Sequence, residues 1–485
     1  MPYRDLREFI TALEKNNELK TVEGADWDLE IGTIDELNYE KLGPAFLFDR
    51  IKDYPAGYRV LTNAMDSLRR ALLAIDFPMD LDVDTAVERF DEKVFSSYRP
   101  VPPVDVGTGP VLENSLRGED IDLWKFPTPR WHEGDGGRYI GTGCMVIMKD
   151  PDTGLVNFGC YRVMISDKNT AALYITPSHK GAIIEKKYWE RGQSCPVAVS
   201  VGQDPALFLG AAYYFGENRG LNKYELVGHV RGAPVEILYE EMTGLPIPAA
   251  AEIVIAGEVP PPEVESRREG PFGEWTGYFT LGSRPEPVIR VKALYHRNDP
   301  IILGMPPKRY RRASLNFGLP TKAKNVRDDL RRTGLEDILD AWHLAIPGFT
   351  VIQIRQRYPG HAMKTALAAS GDYMGRFVVV VDEDINPRDP EDVLWAIGTR
   401  CDPETTLTVL KGCTSSALDP RIPPERKERR DYTSSRAIIL ACKPYDWIKD
   451  FPRTNAASPA LRNKVREKWG ALFPSRRPGD ARSGH

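Results

Sequence analysis

Arg267-Arg268-Glu269-Gly270-Pro271-Phe272-Gly273-Glu274-Trp275 is the most informative stretch of the 485-residue chain. Two glycines and a proline specify a tight turn, and that turn sets two carboxylates five residues apart. Carboxylates gathered in one turn take different pKa values, which lets one of them serve as a general acid near neutral pH. A surface turn with both acids in solvent is the plainer alternative, and the stretch taken alone favours it.

The turn falls late in a region, 105 to about 302, made of short β-rich runs separated by Gly, Pro, Asp and Asn. These are Tyr139–Met148, Leu155–Ser166, Val197–Val201, Ala233–Leu238, Ala251–Val259, Pro287–His296 and Pro300–Leu303. Runs of this length with turn signals between them predict a barrel or a sandwich, interrupted by one helix around His179 to Arg191. Upstream, within residues 3–19, Leu6, Phe9, Ile10 and Leu13 share a helical face. A second short helix is expected over Asp66–Leu73. This first part closes at Arg99-Pro100-Val101-Pro102-Pro103, a natural boundary. Downstream of 303, Phe377–Val381 is an unbroken apolar run suited to a buried parallel strand. It is followed by Asp389-Pro390-Glu391-Asp392, a capped helix start with Pro in the first turn. The chain therefore reads as mixed α/β in three parts: 1–104, 105–302 and 303–485. The polar tail from about Ser475 is expected to be disordered.

Three further constellations lie in the central part. In Leu155–Arg162 strand alternation puts Asn157, Gly159 and Tyr161 on one face and Cys160 and Arg162 on the other. An arginine on an apolar strand face needs an acidic partner, unless it reaches solvent from an edge. Thr176-Pro177-Ser178-His179-Lys180-Gly181 resembles a turn into a helix N-terminus, which suits a phosphate. A capped helix with an exposed histidine is its alternative. Glu225, read as lying in an apolar strand Tyr224–Gly228, is either exposed or paired with a cation. Asn157, His179 and Glu225 together would suit a hard divalent metal, though their spacing does not establish this. The basic run Lys308–Arg312 would suit an acidic ligand, and Pro424–Arg430 reads as a solvated face.

Composition narrows the remaining classes. With 65 Lys+Arg against 69 Asp+Glu, the net charge of −4 excludes a generally basic nucleic-acid binder. No apolar run is long enough for a membrane span, and the charged N-terminus is not a signal peptide. The six cysteines are scattered, with no CxxC pair, which suits a cytoplasmic protein. P-loop, GxSxG and GxGxxG motifs are absent.

Taken together, these motifs resemble the UbiD family of reversible decarboxylases that use prenylated FMN. The resemblance runs from about residue 5 to 450 and is most specific at Glu269–Glu274, then at Asn157-x-x-x-Tyr161-Arg162. Supporting matches include Pro129-x-x-His132-x-x-Asp135-Gly136-Gly137-x-Tyr139-Ile140, Ser178-His179-x-Gly181 and Pro390-x-Asp392-Val393-x-Trp395-Ala396. It implies an N-terminal α/β domain, a central FMN-binding split β-barrel and a C-terminal α/β oligomerisation domain. The implied reaction is reversible, non-oxidative decarboxylation of an aromatic, heteroaromatic or α,β-unsaturated carboxylic acid. It would proceed through a substrate adduct with the prenylated flavin, loss of CO2 and protonation by Glu274. Arg162 and Glu269 would complete a Glu–Arg–Glu network. Asn157, His179 and Glu225 would hold Mn2+ or Mg2+, with K+ a further candidate ion. Cys160, Tyr161, Arg162, Ile175, Thr176, Pro177, Ser178, Lys180 and Gly181 would touch the cofactor. Arg436, where the family often has Lys, would be a further contact, and the two are not equivalent donors. Implied partners are a flavin prenyltransferase supplying the cofactor and further copies of the chain, as a homodimer or homohexamer, with no nucleic acid or membrane. Pocket walls are expected around Leu315–Leu319 and Tyr432–Ala437. The alternatives are a non-catalytic subunit of a larger carboxylase or a plain FMN oxidoreductase.

Overall fold

In the computed structural model residues 3–212, 222–309, 318–344, 348–371 and 376–472 are described. The first helix, Leu6–Lys15, is capped by Asp5 and buries Leu6, Phe9, Ile10 and Leu13, the face that the periodicity predicts. It belongs to a four-stranded sheet unit whose strands lie in the order Leu19–Glu23, Ala45–Asp49, Arg59–Thr62 and Ile301–Gly304. The last of these corrects the sequence reading, which gave Pro300–Leu303 to the barrel. It runs parallel to Arg59–Thr62 instead. Ile301, Ile302 and Leu303 are all buried, as a parallel strand covered on both faces requires.

The central part is a ten-stranded sheet. Across it lie Tyr139–Gly141, Arg162–Ile165, Thr170–Tyr174, Arg284–His296, Ile253–Val259, Cys195–Val201, Met145–Lys149 and Val156–Gly159 in that order. Ser266–Glu269 and Asn114–Arg117 also pair with the long Arg284–His296 strand. Val156–Gly159 is at one extreme of this path and Arg162–Ile165 is next to the other, yet only Cys160 and Tyr161 separate them. Two residues cannot cross a flat sheet of that width. The sheet must curl until its ends meet, which is the split barrel expected. The single run Leu155–Ser166 is therefore two strands joined at a corner.

Two more readings are corrected in this region. Tyr224–Gly228 is not a strand but part of the helix Lys223–Arg231. Asn222 caps its start by accepting from the Tyr224 amide, and Gly232, in the left-handed region, ends it. Those local signals outweigh the short apolar pattern. Ala233–Leu238 yields only the strand Glu236–Tyr239, which pairs with Val104–Asp105 and Pro246–Pro248 in a separate small sheet.

The C-terminal part is a five-stranded mixed sheet in the order Ile338–His343, Phe349–Ile354, Phe377–Asp382, Thr433–Ala441 and Leu407–Thr414. Phe377–Asp382 is parallel to both neighbours, and the helix Pro390–Arg400 after it is capped by Asp389. This domain packs on the barrel. Leu418 joins Tyr174 and Leu281 in one buried cluster, and Lys427 Nζ donates to Thr280 O at 2.8 Å. The run Pro424–Arg430 is thus not wholly a solvated face. Nor does Lys308 await an acidic ligand, because it is buried between Asp35 and Asp66 at 2.9 and 2.8 Å. Residues 310–312, 315–317 and the tail from 475 lie outside the described residues. Among those described, no helix is long and apolar enough to cross a membrane.

Candidate active site

Glu269 ends the strand Ser266–Glu269, where Arg284 is its cross-strand partner. Gly270 follows at φ +79° and its bond to Pro271 is cis. The chain then turns through Phe272 and Gly273 to Glu274, whose amide donates to Tyr278 O at 3.1 Å. The 132–136 loop backs this turn. Gly136 N donates to Pro271 O at 2.8 Å, and Asp135 Oδ1 accepts from Gly273 N at 3.2 Å. Gly136 is needed for that approach, since a Cβ there would stand 2.0 Å from Gly270 O.

Arg162 opens the strand that follows the barrel corner and faces both carboxylates. Its Nη2 donates to Glu269 Oε2 at 2.6 Å and its Nη1 donates to Glu274 Oε1. Arg162, Glu269 and Glu274 are all buried. A buried ion pair needs good geometry and satisfied donors to offset desolvation. The second oxygen of Glu269 is accordingly occupied by the Tyr139 hydroxyl, which donates at 2.9 Å. Burial pushes the Glu274 pKa up; Arg162 pulls it down and the charge of Glu269 raises it again, leaving it above the ordinary value. Burial works against the Arg162 cation, but Glu269 and Glu274 outweigh it and raise its pKa. The surface-turn and edge-strand alternatives both fail on this geometry, which joins a held cation to a carboxyl biased toward its protonated form.

The barrel corner gathers the other candidates. Tyr161 packs its ring where a Cβ on Gly159 or Gly181 would stand, at 2.5 and 2.8 Å. Its hydroxyl accepts from Gly181 N at 3.3 Å, and its ring centroid is 5.9 Å from that of His179. His179 is the N-cap of the helix Lys180–Trp189, and its amide donates to Thr176 O at 2.9 Å. Ile175 is buried, whereas Pro177 and Ser178 are exposed beside it, so the turn opens outward. Cys160 Sγ donates to Thr142 O at 3.3 Å. Asn157 is buried, and its Nδ2 has no hydrogen-bond partner among the described residues. Lys223 Nζ donates to the adjacent Phe158 O at 2.6 Å, which brings the start of the Lys223–Arg231 helix, with Glu225 in its first turn, to the same corner. Among the described residues no three His, Cys, Asp or Glu side chains form a metal cluster. A site here would rest on the mixed set of an amide, an imidazole and a carboxylate. Arg436 lies in the C-terminal sheet, where it donates to Ser370 O and, at 3.0 Å, to Thr414 O. A separate cavity of about 460 Å³, lined by Trp27, Tyr58, Trp124, Lys125 and Arg138 among others, includes none of the trio.

Comparison with known proteins places this geometry in a family. Residues 10–90, 103–310 and 316–441 match the N-terminal, Rift-related and C-terminal domains of 3-octaprenyl-4-hydroxybenzoate carboxy-lyase, UbiD. The chain belongs to the UbiD family. It is 30% identical to a phenolic acid decarboxylase of Bacillus subtilis, covering 87% of this chain and 89% of that one. It is also 30% identical to the pyrrole-2-carboxylic acid decarboxylase of Pseudomonas aeruginosa, covering 96% and 97%. The UbiD-class enzyme HmfF of Pelotomaculum thermopropionicum in complex with FMN superposes with a TM-score of 0.79 at 28% identity, covering 96% of this chain and all of that one. An evolved dimeric form of it in complex with prFMN gives 0.76 at 26% identity, covering 95% and 98%.

Two side chains at the trio carried no role in the sequence reading. Tyr139 stood within a quoted motif, and its pairing with Glu269 needed the fold. Tyr174 had no local signal at all, because its significance lies in the strand opposite.

Proposed function

We propose that the chain is a prenylated-FMN-dependent carboxy-lyase acting on an aromatic, heteroaromatic or α,β-unsaturated carboxylic acid. The buried, protonation-biased Glu274 held on Arg162 carries this reading. Bound prenylated FMN supplies the electron sink for the carbanion-like centre left when CO2 departs, which no side chain provides. Glu274 then protonates the new carbon. Its raised pKa favours the protonated form that a donor needs, and solvent reloads it after each turnover. Arg162 holds Glu274 in place through Nη1 and is itself anchored on Glu269. The start of the 180–189 helix, against which Tyr161 packs, would receive the flavin phosphate. Asn157, His179 and Glu225 would hold Mn2+ or Mg2+ there, the Asn157 side-chain carbonyl and the half-buried Glu225 carboxylate being oxygen donors that suit such an ion. Arg436, which donates to Ser370 O and Thr414 O, is proposed as a further cofactor contact.

The six free thiols favour a cytoplasmic setting. Leu394, Trp395, Leu407 and Val409 are exposed on the C-terminal domain, which supports a homodimer or homohexamer formed through that domain.

The test is co-expression with a flavin prenyltransferase, a visible spectrum of the purified protein and a CO2-release screen over carboxylic acids. A bound chromophore and release from an aromatic or unsaturated acid are expected. Glu274→Gln should abolish release with the chromophore still bound. Full activity in that variant would overturn the assignment of the acid.

A further inference from the structure

Arg162 makes its two charged hydrogen bonds through Nη1 and Nη2, while its Nε has no partner among the described residues. Those two bonds alone leave the guanidinium free to tilt about the line joining them. Its face is where it is held. The guanidinium carbon lies 4.1 Å from the centroid of the Tyr174 ring and 5.5 Å from that of Phe272. Phe272 sits in the catalytic turn itself, whereas Tyr174 is the residue directly opposite Arg162 in the sheet ladder. Cross-strand neighbours of this kind are fixed by register and not by a loop, and a ring beneath a desolvated guanidinium attracts it as well as confining it.

The same ring lies under a second arginine. Arg284, cross-strand partner of Glu269, has its guanidinium carbon 5.3 Å from the Tyr174 centroid and bonds Glu286. Two ladder pairs, Arg162 with Tyr174 and Glu269 with Arg284, thus converge on one aromatic ring. That ring is then packed by Leu281 and by Leu418, a residue of the C-terminal domain.

We infer that Tyr174 is a positioning residue: its ring sets the plane of Arg162 so that one guanidinium reaches both Glu269 and Glu274, and Leu418 keeps the ring in place from the C-terminal domain. This rests on the decarboxylase reading for its kinetic consequence but not for its geometry. The phenol oxygen takes no part, since it makes no hydrogen bond to the trio. If the plane is lost, Glu274 loses part of its contact with the cation that opposes its protonation. Its pKa then rises and the proton is harder to give.

The test compares Tyr174→Phe, which keeps the ring, with Tyr174→Leu and Tyr174→Met, which remove it, so that one misfolding variant does not decide the result. For the ringless variants kcat is expected to fall tenfold or more with KM changed by less than threefold. The alkaline limb of the kcat profile should move to higher pH. Tyr174→Phe should recover most of the rate, and Leu418→Ala should move the limb in the same direction by less. Crystal structures of the ringless variants should show Arg162 off one of its two carboxylates. An unmoved limb with wild-type kcat, or an unshifted Arg162 in those crystals, overturns the inference. Equal loss in Tyr174→Phe and Tyr174→Leu also overturns it, by placing the effect on the hydroxyl. If the wild-type protein releases no CO2 from any acid, the decarboxylase reading fails instead, and the crystal structures still decide the geometry.

Discussion

Tyr139 and Arg162 divide Glu269 between them, the hydroxyl on Oε1 at 2.9 Å and the guanidinium on Oε2 at 2.6 Å. Glu269 is fully buried, so each oxygen depends on its single donor. Tyr139→Phe strands one oxygen, and an unsatisfied buried group of this kind costs about 1–3 kcal/mol. We expect a urea midpoint lowered to match and turnover reduced by about tenfold. An unchanged midpoint and rate would show that the hydroxyl contributes nothing.

The pH dependence of turnover follows from Glu274. A donor must be protonated, and the pKa of Glu274 is raised by burial first and by Glu269. Turnover should therefore hold on the acidic side and fall as pH rises through that pKa, with the limb above the ordinary 4.5 of a glutamate. Glu269→Gln removes one negative neighbour, so the limb should move to lower pH. A shift to higher pH would contradict this arrangement.

Gly136→Ala places a methyl group 2.0 Å from the Gly270 carbonyl. The 132–136 loop or the catalytic turn must then move. Overpacking of this sort costs about 1–3 kcal/mol, which a large domain tolerates. Most of the activity should be lost while the thermal midpoint falls by only a few degrees. Retained activity would mean that the turn does not need this backing.

Glu185 lies on the helix that His179 caps, and it is buried with Oε1 unpartnered among the described residues. Burial, and secondarily Glu286, push its pKa up to about 8. A carboxyl raised in the folded state contributes stability below its unfolded pKa, and that stability is lost as pH rises toward the folded value. Between about pH 4.5 and 8 the loss approaches 1.4 kcal/mol per unit. Glu185→Gln should flatten the melting temperature over this range. Parallel pH curves for the two proteins would refute the assignment.

The residues that act through local geometry were legible in the sequence. The Glu269–Glu274 turn, the His179 helix start and the Asp389 cap each depend on neighbours in the chain, so spacing and residue type report them. Arg162 was legible from its strand as a cation in need of an acid, and only the family resemblance named Glu269 and Glu274 as the acids. The Tyr224–Gly228 error arose where two capping residues, Asn222 and Gly232, settled a short apolar pattern that periodicity reads either way. The placement of Ile301–Gly304 beside Arg59–Thr62, and of Tyr174 beneath Arg162, is decided by strand pairing across long stretches of chain. No local signal encodes that.

Because only Cys160 and Tyr161 lie between the strands Val156–Gly159 and Arg162–Ile165, Asn157 and Arg162 are tethered by a link without slack. One residue added between them would turn the Arg162 side chain to the other face of its strand, away from both glutamates. The loop Asp150–Leu155 just upstream absorbs insertions without that penalty. A change of length upstream of Val156 would thus leave Asn157 and Arg162 in their relative places, whereas one between them would not.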